Sequence, residues 1–305
     1  MTSFLRFILL FIVSMMLNSC FSSFESTKKI TDSDVDKEVK NTPAAICSVI
    51  DTILSPNYLH WDAGKRFVVL DKQVKLILSP ATADLSEGDT LVYSGCGTQN
   101  MFGVEETVLL NFTDSKGGAY SFDTGRSQRE YAATRSTAVP FLLDADLLDL
   151  ARADVVGKHY YVRTSYWYDS DDKVIAGKKF VKVKILDVVP GNKVYSLKVY
   201  FDYAGLQAAI YVSAADNSVA SRRFSNLFST SDIRNYYPAI SDENWALITE
   251  SKVQAGMTKE ECRLALGVPA GIDRIPTYDT LQEIWKYSDG VYLIFVDGIL
   301  TKYRK

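Results

Sequence analysis

The chain has 305 residues, 47% hydrophobic and 12% aromatic, the composition of globular domains and not of a disordered polymer. Its formal net charge of −3 excludes the basic excess on which nucleic-acid partners depend. Only two histidines, His60 and His159, lie far apart, and no cysteine pair has zinc-ligand spacing, so neither a metal nor a cofactor is expected.

At the N-terminus Arg6 precedes an apolar run over residues 7–17, interrupted only by Ser14. The run falls short of the ~20 residues of a membrane-spanning helix. A positive residue followed by a short apolar stretch is the pattern of an export signal. The run ends in Leu17-Asn18-Ser19-Cys20, which resembles a bacterial lipobox, with Asn18 the departure from the usual pattern. The resemblance implies removal of residues 1–19 and attachment of lipid to the Cys20 thiol. It also implies a place in the cell envelope, on the outer membrane facing the periplasm. Residues 20–57 are expected to form a flexible tether, because residues 21–42 are rich in Ser, Thr, Lys, Asp and Glu and bury too little apolar surface to offset chain entropy.

The fold class expected for the remainder is α+β, with a β-rich middle region followed by a small helix-helix-three-strand unit. Residues 66–70, 74–78, 90–93, 107–112, 159–165, 179–188 and 195–201 are β-branched or aromatic and are bounded by Gly, Asp, Asn and Pro. Val181, Val183 and Ile185 alternate with Lys182 and Lys184, as in a sheet wet on one side. Two stretches echo one another. Residues 88–93 match residues 157–162, and Leu109-Leu110-Asn111-Phe112 with Asp114 and Gly117 matches Lys198-Val199-Tyr200-Phe201 with Asp202 and Gly205. The echo predicts two small antiparallel barrels over residues 58–140 and 141–225, which resemble bacterial SH3-like domains. A helix over residues 145–153, with Asp144 as its N-cap, connects them.

In residues 240–305 the local signals are sharpest. Ser241 is placed to cap a helix over residues 242–251. Thr258-Lys259-Glu260-Glu261 is a capping box, with Met257 and Cys262 positioned as a hydrophobic staple. Gly267 and Pro269 end the second helix. Strands over residues 281–287, 291–296 and 299–303 are joined at Asp289-Gly290 and Asp297-Gly298, both tight-hairpin signals. With Val253, Gly256, Leu266, Trp285, Tyr287, Phe295 and Gly298, these residues resemble the SmpA/OmlA family, the BamE-like fold of small outer-membrane lipoproteins. Cys262 stands where that family carries an aliphatic residue, and the long β-rich region before the unit is a second departure. The motif residues Gly256, Met257, Thr258, Glu261, Gly267, Pro269, Trp285 and Tyr287 are expected to serve the fold.

No catalytic constellation emerges. Cys96, between Gly95 and Gly97, is the best candidate nucleophile, and His60 or His159 would have to be its base. The acidic run over residues 169–172 lacks the glycine and terminal glutamate of a calcium loop and reads as a solvated turn. Tyr160, Tyr161, Tyr166, Trp167 and Tyr168, flanked by Lys158 and Arg163, exceed what one small barrel core absorbs. Tyr166, Trp167 and Tyr168 are therefore the candidate binding surface, with Trp167 as anchor if it faces outward. The expected function is a non-catalytic protein-interaction or outer-membrane assembly module. The alternative is a protein that binds peptidoglycan or another glycan through its SH3-like domains.

Overall fold

The computed structural model describes residues 48–81, 84–100, 106–214, 222–276 and 278–304. The export signal, Cys20, Cys47 and the tether up to residue 47 lie outside them. Residues 48–57, read from the sequence as the end of the tether, are instead packed: Ile50, Ser55 and Asn57 are buried. Asn57 donates its amide to the carbonyls of Tyr131 and Thr134 at 2.7 and 3.0 Å, which fixes the chain before the first strand. The described residues form an α+β, strand-rich fold of three antiparallel sheets with few helices.

The first sheet contains β1 (Arg66–Val69), β2 (Leu78–Ser79), β3 (Thr90–Gln99), β4 (Thr107–Asp114), β5 (Ala119–Asp123) and β6 (Leu142–Asp144), in the spatial order β2-β5-β4-β3-β1-β6. Leu78 and Leu142, from strands at opposite ends of that order, enter one core with Trp61, Phe67, Tyr93 and Phe112, so the sheet curls upon itself. The strand expected over residues 74–78 is mostly a 3-10 turn, Lys72–Leu76, because the Asp71 carboxylate accepts from the amide of Gln73 and starts a helical turn there. A short helix α1 (Gln128–Ala132), opened by a capping box from Ser127 and Glu130, lies between β5 and β6.

Helix α2 (Ala145–Val155) follows β6 directly, and the Asp144 carboxylate caps it by accepting from the amide of Asp146. Ala145, Leu147, Leu148, Ala151 and Val155 are its buried positions, and their helical spacing places them on one side. Its Arg152 donates to the carbonyl of Val188 at 2.7 Å and pairs with Asp187, binding the helix to the second sheet.

The second sheet comprises β7 (His159–Val162), β8 (Tyr166–Tyr168), β9 (Val174–Ala176), β10 (Val181–Pro190), β11 (Leu197–Tyr203), β12 (Leu206–Val212) and β13 (Phe228–Ser229). Its order is β13-β7-β10-β11-β12-β8-β9. Helix α3 (Phe224–Leu227) immediately precedes β13. Phe201, in the middle of the sheet, meets Trp167 from one end at 5.0 Å and Phe228 from the other at 6.0 Å, so this sheet curls as well.

Apart from β9, which extends β8 as a hairpin, the two sheets share one topology. The order β8-β12-β11-β10-β7-β13 repeats β2-β5-β4-β3-β1-β6 strand for strand. In both, the third strand carries one extra residue against the fourth: Ser94 between the pairs Tyr93↔Phe112 and Gly95↔Asn111, and Leu186 between Ile185↔Phe201 and Asp187↔Tyr200. The bulge falls at the same place in both, just beyond the stretch of the strand that pairs with the first strand, residues 90–92 of β3 and 181–184 of β10. The sequence echo between residues 109–117 and 198–205 falls on equivalent hairpins. The echo between residues 88–93 and 157–162 does not: β3 is a third strand and β7 a first strand, alike only because both are apolar runs after a glycine turn.

The C-terminal unit has α4 (Asp242–Thr249), α5 (Lys259–Leu266) and a sheet β14 (Gly271–Pro276), β15 (Leu281–Lys286), β16 (Tyr292–Val296), β17 (Ile299–Arg304) in meander order. The sheet has four strands where the sequence led us to expect three. Gly271–Pro276 carries little apolar alternation and is exposed over most of its length, so only its pairing with β15 declares it a strand. Both helix caps form as their local residues require: Ser241 accepts from Asn244, and Thr258 and Glu261 exchange side-chain-to-backbone bonds. Asp297 and Gly298 take φ of 49° and 87°, the two positive values of a type I′ hairpin turn. Phe180 and Ile233, from before residue 240, complete the core around Trp285, Leu293 and Phe295.

Candidate binding face

The aromatic cluster that is continuous in the sequence is divided by the fold. Tyr160 and Tyr161 lie on β7, and β10, β11 and β12 stand between that strand and β8 in the sheet. Arg163 is buried and donates to the carbonyl of Ser225 at 3.0 Å, so it is no part of a basic rim; burial pushes its guanidinium down to about 10.

Trp167 is only 1% exposed, which removes it from the candidate surface. Its indole packs edge-on against Phe201 and Tyr203, its Nε1 donates to the carbonyl of Thr164 at 2.9 Å, and Gly177 lies directly against the ring. Adjacent strand residues point to opposite faces, so Trp167 inside requires Tyr166 and Tyr168 outside, where both are half-buried.

Around Tyr168 the sheet register assembles a patch that no single stretch of sequence contains. Tyr168 pairs with Ala209, Ala209 with Tyr200, and Tyr211 with Lys198, all on the outer face of β8, β12 and β11. The Tyr168 and Tyr211 rings meet edge-to-face at 5.0 Å, and Tyr195 lies 6.2 Å from Tyr211. Lys198 sits between the rings of Tyr200 and Tyr211, 4.8 and 5.4 Å from their centres, with its side chain only 6% exposed. Such cation–ring contacts contribute roughly 0.5–1 kcal/mol each, and more when desolvated.

Asp172, on the turn between β8 and β9, closes the patch. Its carboxylate pairs with Lys198 and accepts from the Tyr211 hydroxyl at 3.0 Å. Burial lowers the proton affinity of Lys198, but hydrogen bonds with Asp172 and Tyr200 outweigh it and hold the ammonium above its ordinary value. Burial pushes the Tyr211 phenol up to about 12. At neutral pH the patch therefore carries a charged lysine beside the protonated phenol of Tyr211.

The residues expected to serve the fold have such contacts. Gly256 (φ 95°) and Met257 exchange backbone bonds with Leu300, Tyr287 donates to the carbonyl of Gly267 at 3.2 Å, and Trp285 donates to Glu283 at 3.1 Å. Pro269 is buried just beyond α5. Gly267 has φ 81° and ψ −162°, so it ends the helix with a positive φ, outside the left-handed helical basin common at such ends. Cys96 is exposed on β3, and among the described residues no hydrogen bond joins it to His60 or His159, which are also exposed. Residues 169–172 form the β8–β9 turn, where the Asp169 carboxylate accepts from the amides of Asp171 and Lys173.

Comparison of the chain with protein-family models, with curated proteins and with solved structures finds no match in any of the three.

Proposed function

We propose that this chain is a lipid-anchored cell-envelope protein that acts without catalysis, holding a protein partner on the tyrosine face of its second curled sheet. On this reading the lipobox-like Leu17-Asn18-Ser19-Cys20 supplies an anchor on the outer membrane, facing the periplasm. The two curled sheets are SH3-like barrels, a reading supported by their shared strand order and bulge. The C-terminal unit is an SmpA/OmlA-like domain with one strand added.

The observation that carries the proposal is an internal comparison. Aligning the bulges sets Lys198, Tyr200, Tyr211 and Tyr168 opposite Leu109, Asn111, Asp123 and Ser79 of the first sheet. There the same topology is completed by small polar contacts such as the bond from Ser121 to Asn111 at 2.7 Å. The fold therefore has no need of an aromatic outer face, and apolar rings gathered on a solvent-side surface are the usual mark of an interface.

Replacing the patch with its counterpart tests this. The double variant Tyr168→Ser, Tyr200→Asn should lose protein crosslinks formed by the native chain in intact cells while keeping its thermal transition. Unchanged crosslinks would remove the site. If the native chain instead sediments with purified peptidoglycan and the variant does not, the rings stack on sugars and the glycan-binding alternative holds. Cys20→Ala should abolish membrane fractionation, and a normally fractionating variant would refute the anchor.

A further inference from the structure

The second half of β3 has a strand partner on one side only. Residues 90–92 lie between β1 and β4, whereas residues 95–99 pair with β4 alone, and Cys96, Gly97, Thr98 and Gln99 are exposed. The corresponding stretch of β10, beyond its own bulge, shows how such an edge is closed. Aligning the bulges sets Cys96, opposite Leu110, on Val188, opposite Val199, and Thr98, opposite Val108, on Pro190, opposite Leu197. The Val188 amide donates to the Asp187 carboxylate at 2.8 Å and its carbonyl accepts from Arg152 of α2 at 2.7 Å, so both groups face the edge and both are taken by side chains. Pro190 has no amide hydrogen to offer there. Charged side chains, cover from a helix and proline are the devices that keep sheet edges from pairing with other chains.

None of these devices is present on β3. Cys96 and Thr98, at the positions of Val188 and Pro190, turn their amides and carbonyls to the same edge, and among the described residues no hydrogen bond closes those groups. Residues 94–99 read Ser-Gly-Cys-Gly-Thr-Gln, without a charge or a proline. Gly97 is not demanded by the fold: its φ is not positive, and a Cβ there would meet nothing nearer than the Asn111 side-chain amide at 4.0 Å. A glycine inside a strand that neither its own backbone nor its packing requires marks a place where another backbone comes close.

We propose that this edge pairs with the same edge of a second copy of the chain, antiparallel, about a two-fold axis at Gly97. In that register Cys96 and Thr98 of one copy exchange backbone bonds with Thr98 and Cys96 of the other, which satisfies the open amides and carbonyls of both. Gly97 then faces Gly97 as a non-hydrogen-bonded pair, where Cα atoms approach to about 4.5 Å, the tightest point of an antiparallel ladder. A two-fold pairing sets the side chains of the edge near their own copies, so a charge there would meet its like. The uncharged edge over residues 94–99 avoids that repulsion and offers nothing to a partner selected by charge. The two Cys96 thiols end on one face of the joined sheet, diagonal neighbours roughly 7–8 Å apart. The pairing is short and therefore weak and reversible. It does not involve the tyrosine face, which belongs to the second sheet.

The test treats the full chain in detergent, at about 100 μM, with a short bismaleimide and maps the linked peptides by mass spectrometry. A peptide joining two Cys96 residues can come only from two chains. The native chain should yield it, increasingly so at higher chain concentration. Gly97→Val and Thr98→Pro copy Val189 and Pro190 of β10, and each should lower the yield roughly tenfold or more, while labelling of Cys96 by a monofunctional maleimide and the thermal transition stay unchanged. No Cys96–Cys96 peptide from the native chain, or an undiminished yield in either folded variant, would overturn the proposal. So would capture of a different protein at Cys96 in intact cells without the self-link. Should Thr98→Pro disturb the first sheet, Gly97→Val decides alone, since its side chain enters open space in the single chain.

Discussion

The ammonium of Lys179 donates to the carbonyl of Ala265 at 2.6 Å, so a lysine from the connection between β9 and β10, itself 0% exposed, caps the C-terminal end of α5. The main-chain amide of the same residue donates to Thr249 at 3.0 Å, the last residue of α4. Helix C-termini present unsatisfied carbonyls and partial negative charge, and one residue answers two of them. Phe180, next in the chain, stacks on Trp245 at 5.7 Å.

The C-terminal unit should therefore depend on the second sheet for its full stability, although its caps and turns are its own. Phe180→Ala should cost about 3–5 kcal/mol, as truncating a buried phenylalanine does. Hydrogen exchange at the amides around Trp285 and Phe295 should accelerate in that variant. A fragment of residues 240–305, which lacks Phe180 and Ile233, should melt below the same unit in the whole chain. Equal protection in both would show that the docking contributes nothing.

Trp167 and Gly177 should behave as two halves of one packing contact. Trp167→Ala should cost about 3–5 kcal/mol in urea unfolding. Gly177→Ala would put a methyl group into the indole and should cost about 1–3 kcal/mol through overpacking. Combining Gly177→Ala with Trp167→Leu should cost less than the sum of the two single changes, since a smaller side chain makes room for the methyl. Strict additivity would argue against the contact.

The two described thiols should react in sharply different ways. Cys96 is exposed, whereas burial, followed by the charge of Glu261, pushes the Cys262 thiol up to about 12. Because the thiolate is the reactive species, maleimide should label Cys96 in the native protein and Cys262 only after unfolding. Peptide mapping by mass spectrometry reads both sites, and native labelling of Cys262 would place it at an accessible surface.

Acid should loosen the link between α4 and the second sheet. Hydrogen bonds from Lys178 and then Lys252 hold the Glu250 carboxyl down to about 2, against an ordinary value of 4.5. An acid with a depressed value stabilises the fold fully above its ordinary pKa, and that contribution is lost as pH falls from there toward about 2. The melting-temperature gap between the native chain and Glu250→Gln should thus be present at neutral pH, close on acidification, and shrink in high salt. A gap independent of pH would mean that the pairing does not carry it.

What the sequence by itself determined is what depends on neighbours a few residues apart. The capping box at Thr258 and Glu261, the caps at Asp144 and Ser241, and the Asp297-Gly298 turn each form through contacts within about one helical turn or hairpin. The tertiary structure decided whatever needed a register. Whether Trp167 or its neighbours faced inward turned on one residue of strand phase, which residues 166–168 alone do not specify, because all three are large aromatics. The tyrosine face gathers Tyr168, Tyr200 and Tyr211 only when β12 aligns with both β8 and β11, and the equivalence of β3 with β10 becomes visible only once the strands are ordered in space. Arg263 follows the same logic: its helix was legible, but Trp285 beneath the guanidinium arrives from a strand beyond it, brought there by burial of apolar surface that carries no record of partner in the local sequence.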